Sequence, residues 1–224
     1  MATETVENYL KALLTLCDES PTGEAGLARL AALLGVTKGT ATSMVKRLSE
    51  GKLVKAERYG GITLTPKGRR AATDVIRRHR LIETFLVRTL KLDWSVVHAE
   101  AERLEHAVSP TVIDAIDALL GHPSVDPHGD PIPDNSGRLR AAHSRPLSAC
   151  ATGERVRVAR VTDQEGAFLA FAARHGLRPG ARVAVLAADA QAQSMLVQAA
   201  GCESVSLAAA AAAKIAVESA GKGG

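Results

Sequence analysis

Apolar side chains recur along the N-terminal part of the chain with the spacing of helices that bury one face. The stretch from Thr3 to Cys17 repeats apolar residues at i, i+3, i+4 and i+7, which predicts an amphipathic helix. A second helix is predicted from Gly26 to Leu34, before Gly35, and a third from Lys38 to Glu50, with Thr37 as its N-cap. This order predicts a helix-turn-helix.

Two alternating stretches follow the third helix and predict a β-hairpin. Leu53 to Glu57 and Gly61 to Thr65 have strand character, and Arg58-Tyr59-Gly60-Gly61 forms the turn of a wing. The outer face of the third helix carries small, hydroxylated or basic residues, which suit contacts with phosphates and bases in a major groove. The residues that we expect to contact DNA are Thr37, Lys38, Gly39, Thr40, Thr42, Ser43, Lys46, Arg47, Arg58 and Tyr59.

Charge supports a nucleic-acid partner for this region. The whole chain has a net charge of only +4, but residues 37–70 hold nine basic residues against Glu50 and Glu57, a net charge of +7. Together with the helix-turn-helix and the wing, this favours a winged helix-turn-helix that binds double-stranded DNA. The alternative, a helical domain whose basic stripe is only a solvated face, stays open.

Composition predicts a folded cytoplasmic protein. Hydrophobic residues make up 46% of the 224 residues, enough for buried cores. No apolar run reaches the length of about 18 residues that a membrane span needs, and Glu4 and Glu7 stand where a secretory signal has basic residues. Cys17, Cys150 and Cys202 are widely spaced, which predicts reduced thiols rather than disulfides.

Histidines and acids cluster on two predicted helices in the middle of the chain. A helix from about Gly68 past Val87 carries His79 and Glu83 one turn apart, and a helix from Ser95 to Val108 carries four such residues on one face. These four are His98, Glu102, Glu105 and His106. Imidazole and carboxylate without thiolate suit manganese, iron, zinc or nickel. A polar, solvated helix face is the alternative.

A polar linker, residues 136–146, separates these helices from a C-terminal domain, residues 147–220. Strand patterns at 156–161, 182–186, 195–198, 204–207 and 215–217, with a helix from Gly166 to His175, predict a small β-barrel. The fold class is therefore α+β multidomain. It comprises a winged helix-turn-helix over residues 1–72, an all-α domain over 73–135 and the barrel.

Several motifs resemble the metal-dependent repressors of the diphtheria toxin repressor (DtxR/MntR) family. The resemblance runs over residues 3–135 and rests on five segments, namely Glu7-Asn8-Tyr9-Leu10, the helix from Thr37 to Arg47, Arg78-His79-Arg80-Leu81-Ile82-Glu83, Val97 to His106 and His122 to Pro133. It implies a homodimer, formed through the all-α domain, that binds a palindromic operator when Mn²⁺ or Fe²⁺ occupies two sites per subunit. The implied function is repression of metal-uptake genes, without enzymatic activity.

The resemblance also implies ligand sets. The primary site would use Asn8, Glu102, Glu105 and His106. The ancillary site would use His79, Glu83 and His98, completed by Glu165 of the C-terminal domain, which resembles the SH3-like (FeoA-like) domain of longer members.

Three positions depart from the family pattern. Asn8 stands where the family has Met or Asp, so the ligand from the first helix is an amide oxygen or is missing. Glu102 replaces the Cys of iron-responsive members, which favours the harder manganese. Lys11 stands where short manganese-responsive members have a second Glu, so we expect two separate sites rather than a closely spaced metal pair.

Two other functions stay open. A winged-helix regulator could respond to another ligand, with the histidines and acids structural. A metallohydrolase could hold zinc with His98, Glu102 and His106, but the sequence lacks an HExxH pattern and an enzyme does not need the basic helix face.

Overall fold

The computed structural model describes residues 3–57, 60–139 and 144–220. The chain divides into two compact units. The first comprises Met1–His79, Leu104–Val108 and Pro133–Arg138, and the second comprises Arg80–Arg103, Ser109–Ile132 and Leu139–Gly224.

The first unit has the helix-turn-helix and the paired strands that the sequence predicts. Its elements are α1 (Glu4–Glu19), α2 (Leu27–Leu33), α3 (Lys38–Glu50), β1 (Val54–Ala56), β2 (Ile62–Leu64) and the N-terminal part of α4 (Pro66–Arg88). The Thr37 side chain caps α3 by accepting a hydrogen bond from the Thr40 backbone N–H at 3.1 Å. β1 and β2 pair antiparallel, with Lys55 opposite Thr63. Arg58 and Tyr59 of the predicted wing lie outside the described residues.

One apolar core holds the first unit together. The inward faces of α1, α2 and α3 meet there, and Leu13, Leu30 and Ala41 have no exposed surface. Because Leu13 is on α1 and Ala41 is on α3, this core fixes the position of α1 relative to the outer face of α3.

The second unit begins with helices and a loop. It contains the C-terminal part of α4, nearly all of α5 (Val97–Leu104) and α6 (Pro110–Leu119). The prediction of one helix from Ser95 to Val108 is wrong, because α5 ends at Leu104. Ser109 caps the next helix by accepting from the Val112 backbone N–H, and Pro110 takes its first position. A proline at that position begins a helix and cannot continue α5.

The C-terminal part of the second unit is a six-stranded antiparallel sheet in the order β3-β8-β4-β5-β6-β7. Its elements are β3 (Arg145–Pro146), β4 (Arg155–Val161), α7 (Gly166–Arg174), β5 (Arg182–Asp189), β6 (Ser194–Ala199), β7 (Ser204–Ala208), α8 (Ala209–Ala212) and β8 (Ile215–Ser219). An alanine-rich stretch between β7 and β8 forms the short helix α8, and β3, at the end of the predicted linker, pairs with β8. Leu169 of α7 and Val197 of β6 lie in the core of the sheet.

Among the described helices, none combines the length and the apolar character needed to cross a membrane.

Candidate metal centres and DNA-binding face

The predicted DNA-contacting residues of α3 share one exposed face. Ala41, Val45 and Leu48 are buried on the inner face of the helix. The residues predicted to contact DNA from this helix and its cap are all exposed, namely Thr37, Lys38, Gly39, Thr40, Thr42, Ser43, Lys46 and Arg47. The exposed face therefore carries three cations among small and hydroxylated residues, as phosphate and base contacts require.

Glu105 is the centre of a buried cluster in the first unit. Its carboxylate has no exposed surface. Glu105 Oε2 lies 2.5 Å from His79 Nδ1, and Glu105 Oε1 lies 2.8 Å from Lys11 Nζ. Burial alone would raise the pKa of Glu105, but the hydrogen bonds and charges of His79 and Lys11 lower it. Glu105 is therefore an ionised carboxylate inside the protein.

Asn8 and His106 lie beside Glu105, as the predicted primary site requires. His106 Nε2 is 2.9 Å from Asn8 Oδ1 and 3.4 Å from Glu105 Oε1. An amide oxygen, a carboxylate oxygen and an imidazole nitrogen thus converge in what we call the first cluster, defined by Asn8, Glu105 and His106. Oxygen and nitrogen donors of this kind fit manganese or iron(II).

Glu7 orients the His106 ring, a role that was not predicted from the sequence. Its Oε2 is 2.6 Å from His106 Nδ1, and its Oε1 accepts from Arg78 Nη2 at 2.8 Å. A carboxylate on one ring nitrogen fixes the tautomer and leaves the other nitrogen for a metal. The requirement of a ligating histidine for such a partner was the signal that could have identified Glu7.

Glu83, His98 and Glu102 come together in the second unit. Glu83 Oε1 is 3.1 Å from His98 Nδ1, and Glu102 Oε1 is 3.7 Å from His98 Nε2. The predicted ancillary residues Glu83 and His98 are therefore neighbours. Glu102, predicted for the primary site, lies next to His98 in this unit, and its role in the primary site stays a prediction.

A second cluster, defined by Glu83, Asp126 and His128, was not predicted. Each residue offers one ligand atom, and these atoms lie within 4.8 Å of one another. All three residues are buried, and Asp126 Oδ2 and His128 Nδ1 have no hydrogen-bond partner among the described residues. Buried acceptors without donors fit a cation. The signal in the sequence was Asp126-Pro127-His128, two ligand types in a loop with little helical or strand pattern.

The second cluster holds more acid than the neighbouring cations neutralise. Burial, followed by the charges of Asp130 and Glu83, raises the pKa of Asp126 to about 8. Burial alone would lower the pKa of His128, but the carboxylates of Glu83 and Asp126 outweigh it and raise this pKa.

The loop that carries Asp126 and His128 packs against β4. The Val161 backbone N–H donates to the His128 carbonyl at 2.9 Å, and Asp130 accepts from Arg160 at 3.0 Å and from Gln164 at 2.8 Å. Gly129 lies between them with a positive φ of 89°, and a Cβ there would lie 2.1 Å from the Ala159 carbonyl oxygen. The C-terminal sheet therefore holds the ligand-bearing loop.

Two further contacts concern His128 and Glu165. His128 Nε2 donates to the Trp94 carbonyl at 2.9 Å, so its Nδ1 faces the second cluster, 3.6 Å from Glu83 Oε2. Glu165 is exposed before the first turn of α7, where its backbone N–H donates to Asp163. A ligand role for Glu165 stays a prediction.

Three family signatures match successive parts of the chain. The signature described as the iron-dependent repressor N-terminal DNA-binding domain matches residues 1–62, and its metal-binding and dimerisation domain matches residues 65–134. The FeoA domain signature matches residues 145–219.

Individual relatives match as well. The chain is 37% identical to the iron-dependent repressor IdeR of Mycobacterium bovis over 130 residues, which is 58% of this chain and 56% of IdeR. It therefore spans little more than half the length of that curated relative. It is 32% identical to the HTH-type transcriptional regulator MntR of Geobacillus kaustophilus over 120 residues, 54% of this chain and 83% of MntR.

A solved structure resembles nearly the whole chain. It is that of a manganese-dependent transcriptional repressor in complex with manganese, with a TM-score of 0.87 and 40% identity over 96% of this chain and 99% of that one. All these relatives are transcriptional regulators, so the comparisons favour a regulator over the metallohydrolase. The chain belongs to the DtxR/MntR family of metal-dependent transcriptional repressors, which takes its name from the diphtheria toxin repressor.

Proposed function

We propose that the protein is a manganese-activated repressor that acts in the cytoplasm as a homodimer on a palindromic operator of metal-uptake genes. The observation that carries this proposal is the first cluster, because Asn8 belongs to α1 of the winged helix-turn-helix while Glu105 and His106 follow α5. A cation held by all three residues would tie the DNA-binding domain to the segment after α5.

Manganese is proposed over iron because the donors are hard. Asn8 and Glu105 offer oxygen, His106 offers nitrogen, and neither cluster includes a thiolate. When bound, the metal would supply the positive charge that lets oxygen and nitrogen donors remain packed together. Glu7 would keep the His106 ring in place through Nδ1.

The DNA-binding surface is the exposed face of α3. Lys38, Lys46 and Arg47 provide the phosphate contacts, and the short Thr42 and Ser43 let the helix approach the bases. Because two winged helix-turn-helix domains in a dimer read half-sites about 34 Å apart, we expect a palindromic operator.

A second metal site is centred on Glu83. This carboxylate approaches His98 through Oε1 and His128 through Oε2. We therefore propose Asp126 and His128 as ligands beside Glu83 and His98 in the second unit, and the ancillary roles of His79 and Glu165 stay predictions. The proposed domains remain 1–72, 73–135 and 147–220, with the linker between the last two.

The test is operator binding as a function of metal. Full-length protein is stripped with EDTA, used to select duplexes from fragmented genomic DNA, and titrated with MnCl₂ or, without oxygen, FeCl₂. We expect Mn²⁺ to tighten binding by about a hundredfold, the upper part of typical allosteric couplings. Replacing Glu105 and His106 by Ala should abolish this response, while Glu100→Gln, at a partly exposed position paired with Arg103, should respond like the wild type.

DNA binding by α3 needs a control variant of its own. Lys46→Ala should weaken operator binding at every Mn²⁺ concentration, because a phosphate contact is lost, yet leave Mn²⁺ binding in a calorimeter unchanged. Operator binding that EDTA and Mn²⁺ leave unaltered would contradict metal activation and favour a regulator of another ligand.

A further inference from the structure

Lys11 approaches the first cluster from the same helix that carries Asn8. It lies three residues after Asn8 on α1, and its ammonium is 2.8 Å from Glu105 Oε1. The Glu105 carboxylate has no exposed surface, whereas the Lys11 side chain keeps 20% of its surface exposed. The pair thus joins a buried anion to a lysine whose side chain is partly exposed to water.

The oxygen that Lys11 contacts is the one that faces the other ligand atoms. Glu105 Oε1 lies 3.4 Å from His106 Nε2, which is 2.9 Å from Asn8 Oδ1. The other oxygen, Oε2, is held by His79. A metal bound by Asn8, Glu105 and His106 would therefore need the oxygen that the Lys11 ammonium contacts. Two cations cannot share that position without strong repulsion in a buried site.

We propose that Lys11 is a built-in competitor of the metal: its ammonium holds Glu105 until a divalent ion displaces it, so that Lys11 sets the metal concentration at which the repressor responds. The inference rests on the proposed function. It deepens that function by naming a residue that sets affinity without being a ligand.

The geometry allows the exchange. A lysine ammonium sits on a flexible four-carbon stem, and the exposed part of the Lys11 side chain gives it a route to water. Glu105 would keep His79 on Oε2 throughout. Before the metal binds, the same ion pair would stabilise the fold, since a buried carboxylate that loses one partner is costly.

A competitor and a purely structural partner predict opposite results for Lys11→Gln. Titration calorimetry with MnCl₂ alone should show about tenfold tighter binding for Lys11→Gln, the equivalent of one lost charge-assisted hydrogen bond. The titration is done in an Asp126→Ala background, which lacks that ligand of the second cluster, so that the heat reports the first cluster. Lys11→Arg, which keeps the charge, should remain near the wild-type affinity.

Lys91→Gln is the matched control, because it removes one exposed charge whose ammonium contacts only the Arg88 carbonyl among the described residues. We expect its affinity for Mn²⁺ to equal that of the wild type. Urea unfolding gives an independent readout. In EDTA, Lys11→Gln should be less stable than the wild type, whereas the gain in stability on adding Mn²⁺ should be larger.

The outcomes separate the two proposals. Equal or weaker Mn²⁺ binding by Lys11→Gln, with a smaller gain in stability, would overturn the role of Lys11 and leave the proposed function standing. Absence of Mn²⁺ binding by both the wild type and Lys11→Gln would overturn the proposed function itself.

Discussion

The two buried clusters balance their charge in different ways. In the first, the Glu105 carboxylate is neutralised by side chains, since Lys11 and His79 lower its pKa despite burial. In the second, burial and neighbouring acids raise the pKa of Asp126 to about 8, so that near neutral pH a proton neutralises this carboxyl group. The carboxylate of the first cluster is thus paired with an ammonium, whereas the carboxyl group of the second cluster holds a proton.

This difference determines what a metal has to displace. At the first cluster it would displace an ammonium that remains attached to the protein, and at the second it would release a proton to solvent. The histidines differ too: His106 is oriented through Nδ1 by the Glu7 carboxylate, whereas His128 is oriented through Nε2 by the Trp94 carbonyl. Metal binding at the first cluster should therefore depend on the residue at position 11, Lys11, and metal binding at the second cluster should depend on pH.

The largest expected effect concerns the loop of the second cluster. In Gly129→Ala the new Cβ would lie 2.1 Å from the Ala159 carbonyl, so the loop and β4 must separate. We expect a loss of about 4 kcal/mol in the free energy of unfolding, and loss of Mn²⁺ binding at the second cluster only. Urea unfolding and the calorimetric stoichiometry measure both.

Gly153→Ala is the control for the backbone alone. Gly153 has the same φ of 89°, but nothing lies within 4 Å of the position of a Cβ. It should cost only about 1 kcal/mol and leave Mn²⁺ binding unchanged. Equal effects of the two substitutions would mean that the close contact with β4 does not hold the loop.

A smaller effect is the pH dependence of the metal-free protein. The pKa of Asp126 is about 8 in the folded protein and near 3.8 in the unfolded chain, so the folded protein binds the proton more tightly. The free energy of unfolding therefore falls as pH rises through this interval. The raised pKa of His128 acts in the same direction. We expect a loss on the order of 2 kcal/mol between about pH 5 and about pH 8.

Asp126→Asn should remove most of this alkaline loss when urea unfolding is measured in EDTA. The lowered pKa of Glu105 has the opposite sign, since its contribution is present above the unfolded pKa and is lost as pH falls through the folded pKa. If the free energy of unfolding of Asp126→Asn falls with pH as steeply as that of the wild type, the proton is not bound at the second cluster.

The smallest effect concerns the orientation of His106. Glu7→Gln keeps the shape but removes the charge opposite His106 Nδ1, and we expect about tenfold weaker Mn²⁺ binding at the first cluster. Calorimetry in the Asp126→Ala background measures it. Replacing Glu4, an exposed acid of the same helix, by Gln should have no effect. An unchanged affinity for Glu7→Gln would mean that Arg78 or the backbone orients the ring.

Local pattern predicted the elements well where one face is buried. The periodicities of α1 and α3 identified both helices because Leu13 and Ala41 face a common core. The break after α5 was missed, because the polar face of Glu105 and His106 continues the helical spacing although the chain turns there. The decisive signal was Ser109-Pro110, a cap and a first-turn proline.

The site was only partly predictable for a physical reason. Glu105 and His106 carry a recognisable motif, but Lys11 and Glu7 reach them from residues more than ninety positions away in the chain. Such pairings depend on tertiary packing, which periodicity does not encode. Asp126 lies in a loop, where side-chain direction follows no repeat.

The contact between Trp94 and His128 has an optical consequence. Trp94 is the only tryptophan of the chain, is buried, and stacks on the His128 ring at 5.4 Å between centroids, with the Arg178 guanidinium 5.1 Å from the centroid of its ring. All indole emission therefore arises beside one ring of the second cluster. The protein contains its own fluorophore for that cluster, so the filling of the second cluster can be followed without any label.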